Sequence, residues 1–225
     1  MIIIPHDNSP YNITPYPAFI WNFSEDDNTI FFDSNPEIEP DFIFDPIDNY
    51  ETSYPRFTDL VKNLKVFVKQ NPKVLSALQY WSGFSKQQII DHLSFGQGPT
   101  IKLESTIPIH GTNFYGVYEK SSSTIKINLA YVQLLELINI ERYKEGVAFL
   151  LAVTLLHEYV HFGTTHNNIS EGGYDFGYGF ENDVFNVIVE NSNALDVVIN
   201  FQPPTSNFQP ISVTFANCPF STRGA

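Results

Sequence analysis

The spacing of apolar residues changes period twice along this chain, and each change predicts a change of secondary structure. Phe57, Leu60, Val61, Leu64, Phe67 and Val68 recur every three or four positions, with Lys62, Lys65 and Lys69 on the other side. That pattern predicts an amphipathic helix over about 57–70. Asn71 and Pro72 suit a fresh start, because Asn caps and Pro fits a first helical position. Val74, Leu75, Leu78 and Trp81 then carry the next apolar face to Gly83. A shorter helix after Ser85, built on Ile89, Ile90 and Leu93, is predicted to stop at Gly96. The period then drops to two. Residues 101–104, 114–118 and 124–128 alternate apolar and polar, as strands do, and 119–123 would join the last two as a hairpin. Helical spacing resumes over 129–140 and again from Glu145. Helices and strands segregated in this way predict an α+β fold.

From Gly146 to Gly163 the apolar residues no longer favour one side. Val147, Phe149, Leu150, Leu151, Val153, Leu155, Leu156, Val160 and Phe162 spread round most of a helix, and a helix of that kind is buried. Within it lies His157-Glu158-Tyr159-Val160-His161, the HExxH pattern. Residues four apart share a helical face, so both imidazoles can meet one tetrahedral zinc ion while Glu158 stands beside the water to be activated. Three ionisable groups on a buried rod are costly without a partner, and a divalent cation is such a partner. His157 and His161 are therefore the expected ligands and Glu158 the expected general base.

A hydrolytic zinc site takes a third protein ligand and leaves one position open. Gly163 is expected to end the helix in a left-handed conformation and turn the chain back, leaving His166, Glu171, Asp175 and Glu181 as candidates. Glu181 is favoured. It lies 20 residues beyond His161 (181 minus 161), after the glycine-rich 172–179, and Phe180, Val184, Val187 and Ile188 would form the apolar face of a helix over about 179–191. Tyr174, Tyr178 and His166 are candidates to stabilise an oxyanion. Asp175, Asp183 and Asn186 are in sequence reach of the distal nitrogens of the ligand imidazoles. The strand at 124–128, apolar at Ile125 and Ile127 and polar at Thr124, Lys126 and Asn128, reads as an edge strand beside a cleft, able to pair with an extended peptide.

Charge refines this picture. The 225-residue chain has a formal net charge of -13, yet residues 60–225 hold 13 acids and 11 bases, while 1–59 hold 12 acids against one base, Arg56. No basic cluster is present to neutralise phosphate, and no apolar run is long enough to span a bilayer, so neither nucleic acid nor membrane insertion is expected. The acidic stretch also holds eight of the 15 prolines, with Phe19, Trp21, Phe31 and Phe42 among its aromatics. Residues 1–53 are expected to form an extended arm, packed on the domain, on a delivery partner or on nothing. One of its carboxylates, such as Asp41, Asp45 or Asp48, is a candidate to mask a metal. Residues 54–200 would be the catalytic domain, helical over 54–97, and 201–225 a tail. The start MIIIPHDNSP lacks the cationic region of a Sec signal peptide, so any export is expected by a non-classical route. The lone cysteine, Cys218, offers neither a disulfide nor a multi-thiolate metal site, which suits reducing cytosol.

Together, HEYVHFG, YDFGYGFENDVF and YPRFTDLVKNLKVFVKQNPKVLSAL with FGQGPTIKLE resemble the zincin metallopeptidase toxin domains at the C-termini of bacterial polymorphic toxins and secreted effectors, over about residues 54–190. The resemblance implies a small gluzincin-like fold: a helical N-terminal part, a short mixed sheet, a buried HExxH helix beneath its edge strand, and a following helix that bears a glutamate. It also implies zinc held by His157, His161 and Glu181, with Glu158 as catalyst and a protein or peptide as substrate. Delivery by a secretion apparatus or contractile particle into a target-cell cytosol would follow, with an immunity protein as a further partner. A peptidase with a housekeeping or self-processing role would share every one of these residues. A non-catalytic module with structural zinc would need four protein ligands, usually including cysteine, and Cys218 stands alone far downstream.

Overall fold

In a computed structural model of the chain, the described residues are 43–94, 98–105, 108–109 and 112–201. Expectations for Asp41 and the rest of 1–42, for the stop at Gly96, and for the tail with Cys218 lie outside the described residues. In chain order the elements are β1 (Ile43–Phe44), a 3-10 turn (Pro46–Asp48), α1 (Tyr50–Ser53), α2 (Pro55–Gln70), α3 (Pro72–Ser82) and α4 (Lys86–His92). Strands β2 (Thr100–Glu104), β3 (Pro108–Ile109), β4 (Thr112–Asn113), β5 (Gly116–Glu119) and β6 (Thr124–Asn128) follow. Helices α5 (Leu129–Leu137), α6 (Glu141–His166), α7 (Phe176–Phe185) and α8 (Ala194–Asn200) complete an α+β fold. Local chemistry sets the early boundaries. Pro55 and Pro72 open their helices, Gly83 ends α3 at φ 75, and Ser85 with Gln88 forms a reciprocal capping box on α4.

The all-round apolar segment is α6, around which the domain is assembled. It is long and apolar enough to cross a membrane by length and composition, but 89% of its most apolar stretch is buried inside the protein. Helices α3, α7, α8 and α5 and strands β5 and β6 pack against it. Leu151, Leu155, Leu156 and Val160 are fully buried, each contributing roughly 1.5–3 kcal/mol by leaving water. Tyr159, the central residue of HEYVH, is also enclosed, and its hydroxyl meets His92 Nδ1 at 2.8 Å, which ties the rod to α4.

The main sheet runs β1-β2-β6-β5, with β1, β2 and β6 parallel and β5 antiparallel to β6. Strand 124–128 is therefore interior, and among the described residues the edge strand beside α6 is β5. Alternation misled here because Thr124 and Asn128 are buried although polar, and the Asn128 side chain caps α5 through the Ala130 N–H. The end of the acidic stretch belongs to the domain. Phe44 and Tyr50 are in the core, the Leu103 N–H donates to the Tyr50 hydroxyl, and Arg56 donates to the carbonyls of Leu135, Glu136 and Ile138. Asp45 caps the 3-10 turn and faces Lys102 at 4.0 Å, and Asp48 lies beside Tyr50, so neither masks the HExxH face.

Two helix boundaries differ from expectation. Gly163 does not end α6, which continues to His166. Its missing side chain serves instead the crossing of α3, since an added Cβ would lie 2.4 Å from Ser82 Cβ and 2.7 Å from the Ser82 carbonyl. Helix α7 spans 176–185 rather than 179–191 because Asp175 caps it, accepting the Tyr178 N–H, and Asn186 in a left-handed conformation stops it.

Candidate metal centre

His157 and His161 stand one turn apart on the face of α6 turned towards α7, with ring centroids 5.1 Å apart. A ligand atom from each, together with one from Glu158, falls within a 4.8 Å cluster. Their Nε2 atoms converge on a single oxygen, Asp175 Oδ1, at 3.4 Å from His157 and 3.5 Å from His161. The far nitrogens are held separately. His157 Nδ1 lies 2.6 Å from Glu181 Oε1, and His161 Nδ1 lies 2.8 Å from Glu171 Oε1.

Each carboxylate is itself aimed by the backbone. Glu181 Oε2 accepts the Val189 N–H at 2.6 Å. Glu171 accepts the Thr164 hydroxyl at 2.7 Å and the Phe176 N–H at 3.1 Å. Asp175 is fixed by its capping bond, and Glu158 Oε2 accepts the Tyr118 N–H of β5 at 2.7 Å. Such partners on the distal nitrogens fix ring orientation and raise basicity, as metal-binding imidazoles require.

Four carboxylates around two imidazoles leave the cluster short of positive charge. Burial alone would push the His157 proton off, but Asp175 and Glu181 outweigh it and hold the pKa up at about 10. The same opposition, with Asp175 and Glu158 prevailing over burial, raises His161. Burial also works against charge on Asp175, yet the two imidazoles keep its carboxyl well below the usual range. For Glu158 burial prevails over the pull of His157, His161 and the Tyr118 N–H, and its pKa is raised. Two nitrogens and a carboxylate oxygen that converge in a buried, cation-demanding cluster fit zinc, whose sites use this donor set.

Several expected residues take other places. Glu181, expected on the metal, lies 2.6 Å from His157 Nδ1, while the Nε2 of the same ring faces Asp175. Asp175, expected to hold an imidazole from behind, faces the Nε2 atoms of both rings instead. Asp183 accepts the Trp81 indole N–H, and Asn186 terminates α7. His166 packs on Phe84, Phe162 and His92, away from the cluster. Tyr174 packs on Trp81 and Phe176, whereas Tyr178 sets its ring against His157 at 5.1 Å and is 39% exposed.

Gly177, which spacing did not single out, permits this arrangement. An added Cβ would come within 2.3 Å of the His157 ring, and that ring, pinned by Glu181 and Asp175, has nowhere to move. Gly177→Ala, a gain of about 1 kcal/mol in an unconstrained helix, is expected here to destabilise by about 1–3 kcal/mol, read by denaturant unfolding.

The model of the metallopeptidase toxin 3 family matches residues 50–186, more than half of the chain and the span that holds every group of the cluster. No curated protein matches the chain, and no solved structure does. With the HExxH helix, its carboxylate partners and the mixed sheet in place, the family match leads to one conclusion: this chain belongs to the metallopeptidase toxin 3 family.

Proposed function

We propose that the protein is a zinc-dependent endopeptidase that acts as a bacterial toxin or effector, with His157, His161 and Asp175 as the zinc ligands and Glu158 as the general base. The observation that carries this reading is the pairing of both Nε2 atoms with one Asp175 oxygen while both Nδ1 atoms are held from behind by glutamates. A zinc ion so held supplies Lewis acidity, polarising the scissile carbonyl and making water a nucleophile near neutral pH. The remaining work falls to the chain's own groups. Glu158, beside both imidazoles in a buried setting, takes the proton of the attacking water and passes it to the leaving amine. Glu181 and Glu171 keep the two rings turned and take up their Nδ1 protons, so that Nε2 is the nitrogen left to exchange its proton for a cation. Tyr178, against His157 and partly exposed, is placed to donate its phenolic proton to the developing oxyanion. The family name supports a protein substrate and a toxic role. Delivery by a secretion apparatus or contractile particle, action in a target-cell cytosol and an immunity partner belong to the same proposal.

Glu158→Gln is expected to retain stoichiometric zinc while lowering protein cleavage by about 10²–10⁴-fold, the usual worth of a general base. Unchanged cleavage in zinc-loaded protein would reject the mechanism. Among the carboxylates, Asp175→Ala should abolish zinc retention in dialysis, whereas Glu181→Ala should weaken affinity by about 10–100-fold. The reverse order would restore Glu181 as ligand. Protons compete with the cation for His157. Its pKa is raised from 6.5 to about 10 in the zinc-free fold, so its proton stabilises that fold fully below pH 6.5, and this contribution is lost as pH climbs towards 10. The increase in Tm on adding zinc should therefore be greater at pH 8 than at pH 6, measured by calorimetry.

A further inference from the structure

The base of the proposed reaction is tied to β5, which among the described residues is an edge strand of the sheet. In the β5–β6 ladder the Asn128 N–H donates to the Tyr115 carbonyl at 2.8 Å, and the register pairs Gly116 with Ile127, Val117 with Lys126, Tyr118 with Ile125 and Glu119 with Thr124. Antiparallel pairs alternate between bonded and non-bonded, so Tyr115, Val117 and Glu119 turn their backbone groups to β6. Gly116 and Tyr118 turn theirs to the free edge. The outward N–H of Tyr118 meets Glu158 Oε2 at 2.7 Å. A backbone donor on an exposed edge is what an added strand uses to bind, and here the general base occupies it.

We propose that the Tyr118 amide is a shared donor, which holds Glu158 in the substrate-free protein and transfers to a carbonyl of an extended peptide that pairs along β5, releasing the carboxylate as the peptide docks. This proposal rests on the peptidase reading and names its substrate class: unfolded chains or extended loops that can lie as a further strand. Folded surfaces and compact small molecules offer no main-chain carbonyl at that position and leave Glu158 held. The bond given up is charge-assisted and stronger than the ladder bond that replaces it, and the peptide's other contacts make up the difference. Docking energy is thereby used to free the base. Tyr118 acts through its backbone as a positioning residue, while its phenol lies 3.2 Å from Ser123 Oγ.

The test reads amide hydrogen exchange at residues 117–119 in the full, zinc-loaded chain, with unfolded casein as the peptide probe. Wild type is measured alone. Glu158→Ala, which cannot cleave, is measured with and without casein at a concentration saturating for cleavage by wild type. The expected result is at least tenfold faster exchange at Tyr118 alone in Glu158→Ala, with Val117 and Glu119 unchanged, and a return to wild-type protection when casein is added. Equal rates at Tyr118 in both proteins, acceleration of all three amides together, or fast exchange that persists with casein would each overturn the proposal. Casein left intact by wild type would instead reject the peptidase reading and the exchange with it, while the casein-free comparison still decides whether Tyr118 holds Glu158.

Discussion

Two imidazoles and four carboxylates share one desolvated corner of the molecule, and the rest of the domain answers to that concentration of charge. An unpaired buried ion costs several kcal/mol even after relaxation, and here each ring nitrogen faces a carboxylate oxygen while each carboxylate takes a backbone N–H. The backbone N–H groups of Tyr118, Phe176, Tyr178 and Val189 serve Glu158, Glu171, Asp175 and Glu181 in turn. These donors come from three separate places in the chain, β5, the first turn of α7 and the segment that follows α7, and that is why they must all meet the buried helix here. The raised pKa values of both histidines express the same demand: with protons as the only available cations, the site draws them in, and a divalent ion would replace them.

Much of this was legible in the residues. Three- and four-residue spacing located α2, α3 and the rod, and the four-residue separation of His157 and His161 determines a common face whatever surrounds them. The strand content was legible too, but not the strand order, because alternation reports which side of a strand faces outwards and says nothing about its lateral neighbours. Thr124 and Asn128 look like solvent-facing residues and are buried, one at a sheet interior and one as a helix cap. Residues 43–53 shared the acidic, proline-rich texture of the preceding segment, which hid the fact that Phe44 and Tyr50 complete the core.

Spacing did not reveal which carboxylate faces both Nε2 atoms. Distance in sequence brings Glu181 into the neighbourhood of His157, but a carboxylate in that neighbourhood can reach either ring nitrogen, and the choice depends on where α7 begins. Gly177 and Gly179 read as loop because glycine is a poor helix former. Both lie inside α7, where their lack of a side chain lets the helix approach the His157 ring and the Trp81 indole. Moving the helix start from 179 to 176 makes Asp175 the cap and aims it at the Nε2 atoms, while Glu181 is turned behind the ring. Tertiary approach overrode local propensity, and a single sequence carries no mark of that.

In the proposed site two imidazoles and Asp175 hold one zinc ion from three sides while Glu181 and Glu171 stand behind the rings. Anomalous diffraction from zinc-loaded crystals tests it most directly. The expected result is zinc density bonded to His157, His161 and the Asp175 carboxylate, with solvent in the remaining position and Glu181 still on His157 Nδ1. Zinc bonded to Glu181, or closed off by four side chains, would contradict it.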